Sequence, residues 1–185
     1  MTPELALALV FTCGWVPLWV FRTESLPDAL PSYRGSERIW VRLAPTVIVV
    51  HVSLACVTVS VTPNIPRWRV LLSVALFLVG AAFWLWARSM IGPLRRRRLP
   101  EEPPQQFRQD GAFGVVRNPL YLGVLIAAGA PVLAAGRPLL LVTYGICVIA
   151  LAVRAVQDEE RLHRQLGSRY AEYCRAVKRL IPFVW

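Results

Sequence analysis

The chain has 185 residues, of which 56% are hydrophobic and 17% charged, with seven Trp, a positive mean hydropathy and a formal net charge of +10. Soluble domains run near 45–50% apolar and about 25% charged, so this composition excludes intrinsic disorder and a disulfide-stapled secreted domain, and no nucleic-acid partner is expected despite the basic balance. Five charge-free stretches point instead to a polytopic membrane protein: 5–21 (17 residues), 43–62 (20), 70–87 (18), 119–136 (18) and 138–153 (16).

A hydrocarbon core about 30 Å thick needs a helix of roughly 17 to 25 apolar residues, which all five stretches meet or approach. The first follows a leader, Met1 to Glu4, with no basic residue, and no small-residue cleavage pattern follows it, so it reads as a retained helix and not as a secretory signal. A polar loop with turn-formers Pro27, Pro31 and Gly35 leads to the second stretch, which contains His51. An imidazole inside a span raises a functional hypothesis; a neutral ring bonded to a neighbouring helix is the expectation. The turn Thr62-Pro63-Asn64-Ile65-Pro66 starts the third stretch, which ends near Arg88 and Gly92 and runs into Arg95-Arg96-Arg97-Arg98. Four arginines there suit a stop-transfer signal in contact with anionic lipids.

The fourth stretch carries Gly123, Ala127, Ala128, Gly129 and Ala130, small residues that let membrane helices approach closely, and Pro131, which can kink it. Only Gly136-Arg137-Pro138 separates it from the fifth stretch, which predicts a tight antiparallel helical hairpin. From Asp158 onward Leu162, Leu166, Tyr170, Tyr173 and Val177 recur at steps of four, four, three and four, leaving Arg161, Arg164, Arg169, Arg175 and Lys178 on other faces. That pattern predicts a basic amphipathic helix lying on the membrane or over a cavity. The expected fold is therefore all-α: five transmembrane helices and a C-terminal amphipathic helix, forming a single membrane-embedded domain over 1–185, with 1–69 as its N-terminal spans.

Charge placement orients it. The segments 22–42, 88–118 and 154–185 hold eighteen of the 21 Lys and Arg, while the alternate segments hold three. The positive-inside rule then puts the N-terminus outside and the C-terminus in the cytoplasm. Cys13, Cys56, Cys147 and Cys174 are widely spaced and form no C-x-x-C pair, so neither a disulfide framework nor a metal site is expected.

Two polar clusters meet at the cytoplasmic end of the hairpin. The segment Gly111 to Gly123 enters the fourth span there, and Arg154 to Glu160 leaves the fifth. Acids at a helix C-terminus oppose its dipole, so Asp158, Glu159 and Glu160 imply either that the helix continues or that a cation binds beside them.

The residues Gly111-Ala112-Phe113-Gly114-Val115-Val116-Arg117-Asn118-Pro119-Leu120-Tyr121-Leu122-Gly123 resemble the G-x-Y-x-x-x-R-H-P-x-Y-x-G signature of the isoprenylcysteine carboxyl methyltransferase and phospholipid methyltransferase family. Asp158 and Glu159, followed by Leu162, Leu166, Gly167, Tyr170 and Tyr173, are similar to its second signature, E-E-x-x-L-x-x-x-F-G-x-x-Y-x-x-Y. The resemblance covers about 70–185, which becomes the expected methyltransferase core. Phe113, Asn118 and Asp158 depart from the pattern's Tyr, His and first Glu, and the amide at 118 leaves no titratable base there.

The resemblance implies methyl transfer from S-adenosylmethionine at the cytoplasmic face, with no metal. It implies Arg154, Glu159 and Arg117 as catalytic candidates, and Gly111, Phe113, Val116, Arg117, Asn118, Pro119, Tyr121, Gly123, Glu159 and Tyr170 as the donor-binding set. Glu159 would face the donor's cationic groups, and Arg or backbone N–H groups at the start of the fourth span its carboxylate. With 20 Arg and one Lys the chain looks encoded by a GC-rich genome, so a bacterial inner membrane is expected. The expected acceptor is lipophilic: a lipid amine, an isoprenoid-linked carboxylate or a hydrophobic thiol. An NADPH-dependent reductase of related architecture and a non-enzymatic carrier or assembly protein are the competing expectations, and the oligomeric state is left open.

Overall fold

The computed structural model describes residues 37–96 and 109–182, and over these residues every regular element is a helix. Three are long and apolar enough to cross a membrane: α1 (Glu37–Ser60), α2 (Arg67–Arg96) and α5 (Pro138–Leu166). The shorter apolar helix α4 (Pro119–Ala135) is preceded by the short helix α3 (Ala112–Val115), and a second short helix, α6 (Ser168–Ala176), follows α5. The outward faces of the long helices are apolar, with Val57 64%, Leu71 71% and Ile149 63% exposed, as side chains meeting lipid must be.

The five expected spans are therefore met only in part. The stretch 5–21 lies outside the described residues. The stretch 119–136 forms a helix of 17 residues, about 25 Å long, at the lower limit for a span. Its hydrophobicity serves packing: Pro119, Gly123, Leu125, Ala127, Ala128, Ala130, Pro131, Ala134 and Ala135 are all buried, and α1, α2 and α5 all pack on it. A helix apolar all round belongs inside a bundle. Pro119 starts α4, and Gly136, in the left-handed conformation (φ 60°, ψ 27°), ends it by donating its N–H to Val132 O.

Small residues set the tightest helix pair, α2 on α4. A Cβ added to Gly80 would fall 2.4 Å from Ala127 N and 2.7 Å from Gly123 O, and one added to Gly123 would meet Trp84 at 2.8 Å. The backbones touch there. α1 packs chiefly on α5, and His51 ties three helices together: fully buried, it meets Ala128 O on α4 through Nε2 (3.0 Å) and Thr143 Oγ1 on α5 through Nδ1 (2.8 Å). The carbonyl partner requires a proton on Nε2, while the Thr143 hydroxyl at Nδ1 also lies within donating distance of Leu140 O (3.2 Å).

The expected single amphipathic helix from Asp158 is broken in two. α5 runs on without interruption to Leu166, and Gly167 (φ 57°, ψ −131°) then turns the chain into α6, in a backbone region open to glycine and strained for other residues. Tyr170 and Tyr173 are buried and Arg164, Arg169, Arg175 and Lys178 exposed, as the periodicity predicts, but Arg161 is buried at 5% exposure.

Candidate active site

The chain enters α4 through a packed turn. Gly111 lies under Met90 of α2, where a Cβ would fall 2.2 Å from Met90 Cε, and Ala112 N–H meets Met90 Sδ at 3.4 Å. After α3 the backbone is extended at Val116, which is fully buried. The tail 177–180 runs alongside: Arg117 N–H donates to Lys178 O (2.8 Å) and Asn118 N–H to Arg179 O (3.0 Å). Leu180, 2% exposed, plugs into a cluster of Ala44, Leu125, Ala150 and Leu151 from α1, α4 and α5.

Glu159, 3% exposed near the end of α5, is the hub of the site. Arg117 binds it bidentately, Nε to Oε1 and Nη2 to Oε2, both at 3.0 Å. Asn118 Nδ2 donates to Oε1 at 3.0 Å and Arg179 Nε to Oε2 at 2.9 Å. An ionised carboxylate has about four acceptor positions, and four donors fill them. Burying such a charge costs several kcal/mol unless hydrogen bonds offset it, which explains the density of donors. Arg117 Nη1 donates to Cys174 O (2.7 Å) and Val177 O (3.0 Å), placing its charge at the C-terminal end of α6, where the helix dipole favours a cation.

Beside the hub, Asp158 collects a second set. Tyr121 on α4 donates its hydroxyl to Asp158 Oδ2, and Arg154, one turn earlier on α5, donates Nε to the same oxygen at 3.2 Å. The two adjacent acids thus hold separate partners.

The tyrosines of α6 brace the assembly from behind. Tyr173 donates its hydroxyl to Phe113 O, and Tyr170 packs edge-on against His163 at 4.8 Å between ring centres. Burial, and then the field of Glu159, pushes the Tyr170 phenol far above its ordinary range; burial does the same for Tyr173. Burial also raises the Cys174 thiol, so its contact with His163 Nε2 (3.6 Å) is that of a neutral thiol.

The structure brings Arg117 and Asn118 onto Glu159, and Tyr121 and Arg154 onto the adjacent Asp158, so residues of both motifs meet in two neighbouring clusters. Other expectations meet a different geometry. Gly123 faces Trp84 and Gly80, where it permits helix contact away from the polar network. Asn118 occupies the cap position of α4 but makes no side-chain cap bond, since its amide turns to Glu159 and Arg179 O. Tyr170, at 2% exposure, and Val116 are packed inside, and Phe113 contributes its backbone carbonyl to the bracing. Glu159, expected to face a donor's cation, is enclosed by the chain's own donors, and the N–H groups of Arg117 and Asn118 are taken by the tail. The sequence reading missed Arg179: it lies beyond the second signature, and its only signal is its place between an exposed Lys178 and an apolar Leu180.

Fold and site together define an integral membrane protein, all-helical over the described residues, with a network of acids, arginines and a phenol at one end of a helical hairpin. No known protein-family model matches the chain. It is 28% identical to a methanethiol S-methyltransferase of Pseudomonas sp. in an alignment that covers 80% of the chain, and 38% identical to a Delta(14)-sterol reductase of Mus musculus in one that covers 47%. The matches span 65% of the methyltransferase and 22% of the reductase, under two thirds of either relative.

Proposed function

We propose that the chain is a membrane methyltransferase that uses S-adenosylmethionine to methylate a small hydrophobic thiol or another lipophilic acceptor at the cytoplasmic face of a bacterial inner membrane. The observation that carries this reading is the pairing of the start of α4 with the end of α5 through two adjacent acids, Arg117 and Asn118 on Glu159 and Tyr121 on Asp158, with Arg154 on Asp158 as well. The similarity to a methanethiol S-methyltransferase over most of the chain supports it and favours a thiol among the acceptors named above.

The Asp158 cluster's chemistry fits such a donor: its carboxylate suits a cationic group, the Arg154 guanidinium a carboxylate, and the Tyr121 phenol a ribose or an amine. When bound, S-adenosylmethionine would supply a methyl group on a positively charged sulfur that leaves as a neutral thioether. The acceptor thiol would release its proton to bulk solvent before the site closes, and its sulfur would then form the new carbon–sulfur bond. The chain's part is to hold the two sulfurs in line and exclude water. Asp158 orients Tyr121 and Arg154, and Arg154 favours the anionic form of an acceptor by its charge. The Arg117–Glu159 hub holds α4 and α5 together behind them.

The test is a thermal-shift and calorimetric titration of detergent-purified protein with S-adenosylmethionine and S-adenosylhomocysteine, with NADPH as control. A ligand at a hundredfold excess over its Kd stabilises the folded state by about 2.7 kcal/mol. Tyr121→Ala and Glu159→Ala should weaken binding of the product, and Arg154→Ala should lower turnover more than binding. Stabilisation by NADPH alone would favour the reductase reading that the second relative suggests; no response from folded protein would sink both enzyme readings.

A further inference from the structure

We propose that Arg179 is a positioning residue of this site: through Glu159 it keeps the entrance of α4 in register with α5, so that Glu159 serves as a buried hub and not as the ligand of an incoming cation. The inference rests on the methyltransferase reading for its ligand, and on the structure for everything else.

Three observations carry it. The first is the saturation of Glu159, whose four acceptor positions are filled by Arg117, Asn118 and Arg179 at 2.9–3.0 Å. An added cation could enter only by displacing one of them. The second is that the tail bearing Arg179 is stitched down on both sides. Its carbonyls at 178 and 179 receive the N–H groups of Arg117 and Asn118, Asn118 Nδ2 adds a bond to Arg179 O (3.2 Å), and Leu180 is buried among three helices. A segment held by backbone pairing and a buried leucine is built as a permanent strap. The third is the division of labour between the acids: Asp158, whose side chain is 14% exposed against 4% for Glu159, holds Tyr121 and Arg154. A ligand therefore meets the Asp158 set, and Arg179 acts on it at one remove, by fixing where α4 presents Tyr121.

The experiment compares full-length wild type, Arg179→Gln, Arg179→Lys and Arg175→Gln in detergent. Arg175 is exposed on α6 and controls for loss of one positive charge. S-adenosylhomocysteine affinity is measured by calorimetry, and amide hydrogen exchange is followed at Arg117 and Asn118 without ligand. Losing one charge-assisted hydrogen bond should weaken binding about tenfold in Arg179→Gln and speed exchange at both amides, while Arg179→Lys recovers most of each and Arg175→Gln matches wild type. Recovery by lysine is what a merely space-filling role would not produce. Affinity in Arg179→Gln equal to wild type overturns the inference, and tighter binding overturns it in favour of an arginine that competes with the ligand for Glu159. Unchanged exchange overturns it whatever the ligand result. Faster exchange together with no binding by wild type defeats the methyltransferase reading alone and leaves the hub assignment standing. Should the glutamine variant not fold, a folded lysine variant that binds as poorly as about tenfold below wild type overturns the role given to the charge.

Discussion

Replacing Gly80 by alanine tests the α2–α4 contact on which the rest of the bundle is built. The new Cβ would lie 2.4 Å from Ala127 N, 2.7 Å from Gly123 O and 2.9 Å from Ala127 Cα, where ordinary contact begins at 3.4 Å. All three neighbours are backbone, so none can rotate away, and the two helices must part by about 1 Å. A radial gap of that size forfeits a quarter to a half of the dispersion energy across the seam, and overpacking of this kind costs about 1–3 kcal/mol. Alanine returns roughly 0.5–1 kcal/mol through helix propensity. The net loss is then about 1–2 kcal/mol, or roughly 3–6 °C in melting temperature for a chain of this size. Two glycines in the same bundle serve as internal references. At Gly129 the Cβ would meet Tyr144 at 3.7 Å, and at Gly145 it would meet nothing within 4 Å, so both alanine variants should melt at or above wild type. Thermal unfolding in detergent, followed by circular dichroism, reads all three. Gly80→Ala melting with the other two would refute the close approach of α2 and α4.

Three further outcomes follow from the site and its bracing. Arg117→Ala removes two of the four donors of Glu159, leaving Asn118 and Arg179, and strands two carbonyls of the α6 end, so it should cost about 2–4 kcal/mol by denaturant unfolding; Arg117→Lys should recover only part, because one ammonium cannot span both carboxylate oxygens and both carbonyls. The raised phenols of Tyr170 and Tyr173 predict alkaline destabilisation: below about pH 10 both states are protonated, and above it the unfolded phenols ionise while the folded ones stay neutral, so stability falls as pH rises. Tyr170→Phe should flatten that decline, and an unchanged slope between pH 10 and 11 would count against the burial argument. His51→Leu removes two interhelical hydrogen bonds and should lower stability by about 1–2 kcal/mol, while leaving affinity for the methyl-donor product unchanged in the titration described above.

Much of this molecule is legible along the chain because hydropathy and turn chemistry act locally. The long charge-free runs mark α1, α2 and α5; Pro119 and Gly136 delimit α4; the short link through Arg137 makes the hairpin that brings the two polar motifs to one end. The family resemblance pairs the right segments, since both signatures lie on the two helices of that hairpin. Tertiary structure alone decided how the charges are spent. Glu159 takes its donors from residues 20, 41 and 42 positions away, and Arg117 reaches carbonyls 57 and 60 positions away, distances at which no periodicity carries information. The same holds for the amide of Asn118, which leaves the cap to reach a neighbouring carboxylate, and for Gly80, whose importance comes from the backbone of Ala127 opposite it. A buried carboxylate must find donors wherever the fold supplies them, and two backbones can touch only where both helices present small residues at the same height. Both conditions belong to the packed bundle, which is why the four donors around Glu159 could not be read along the chain.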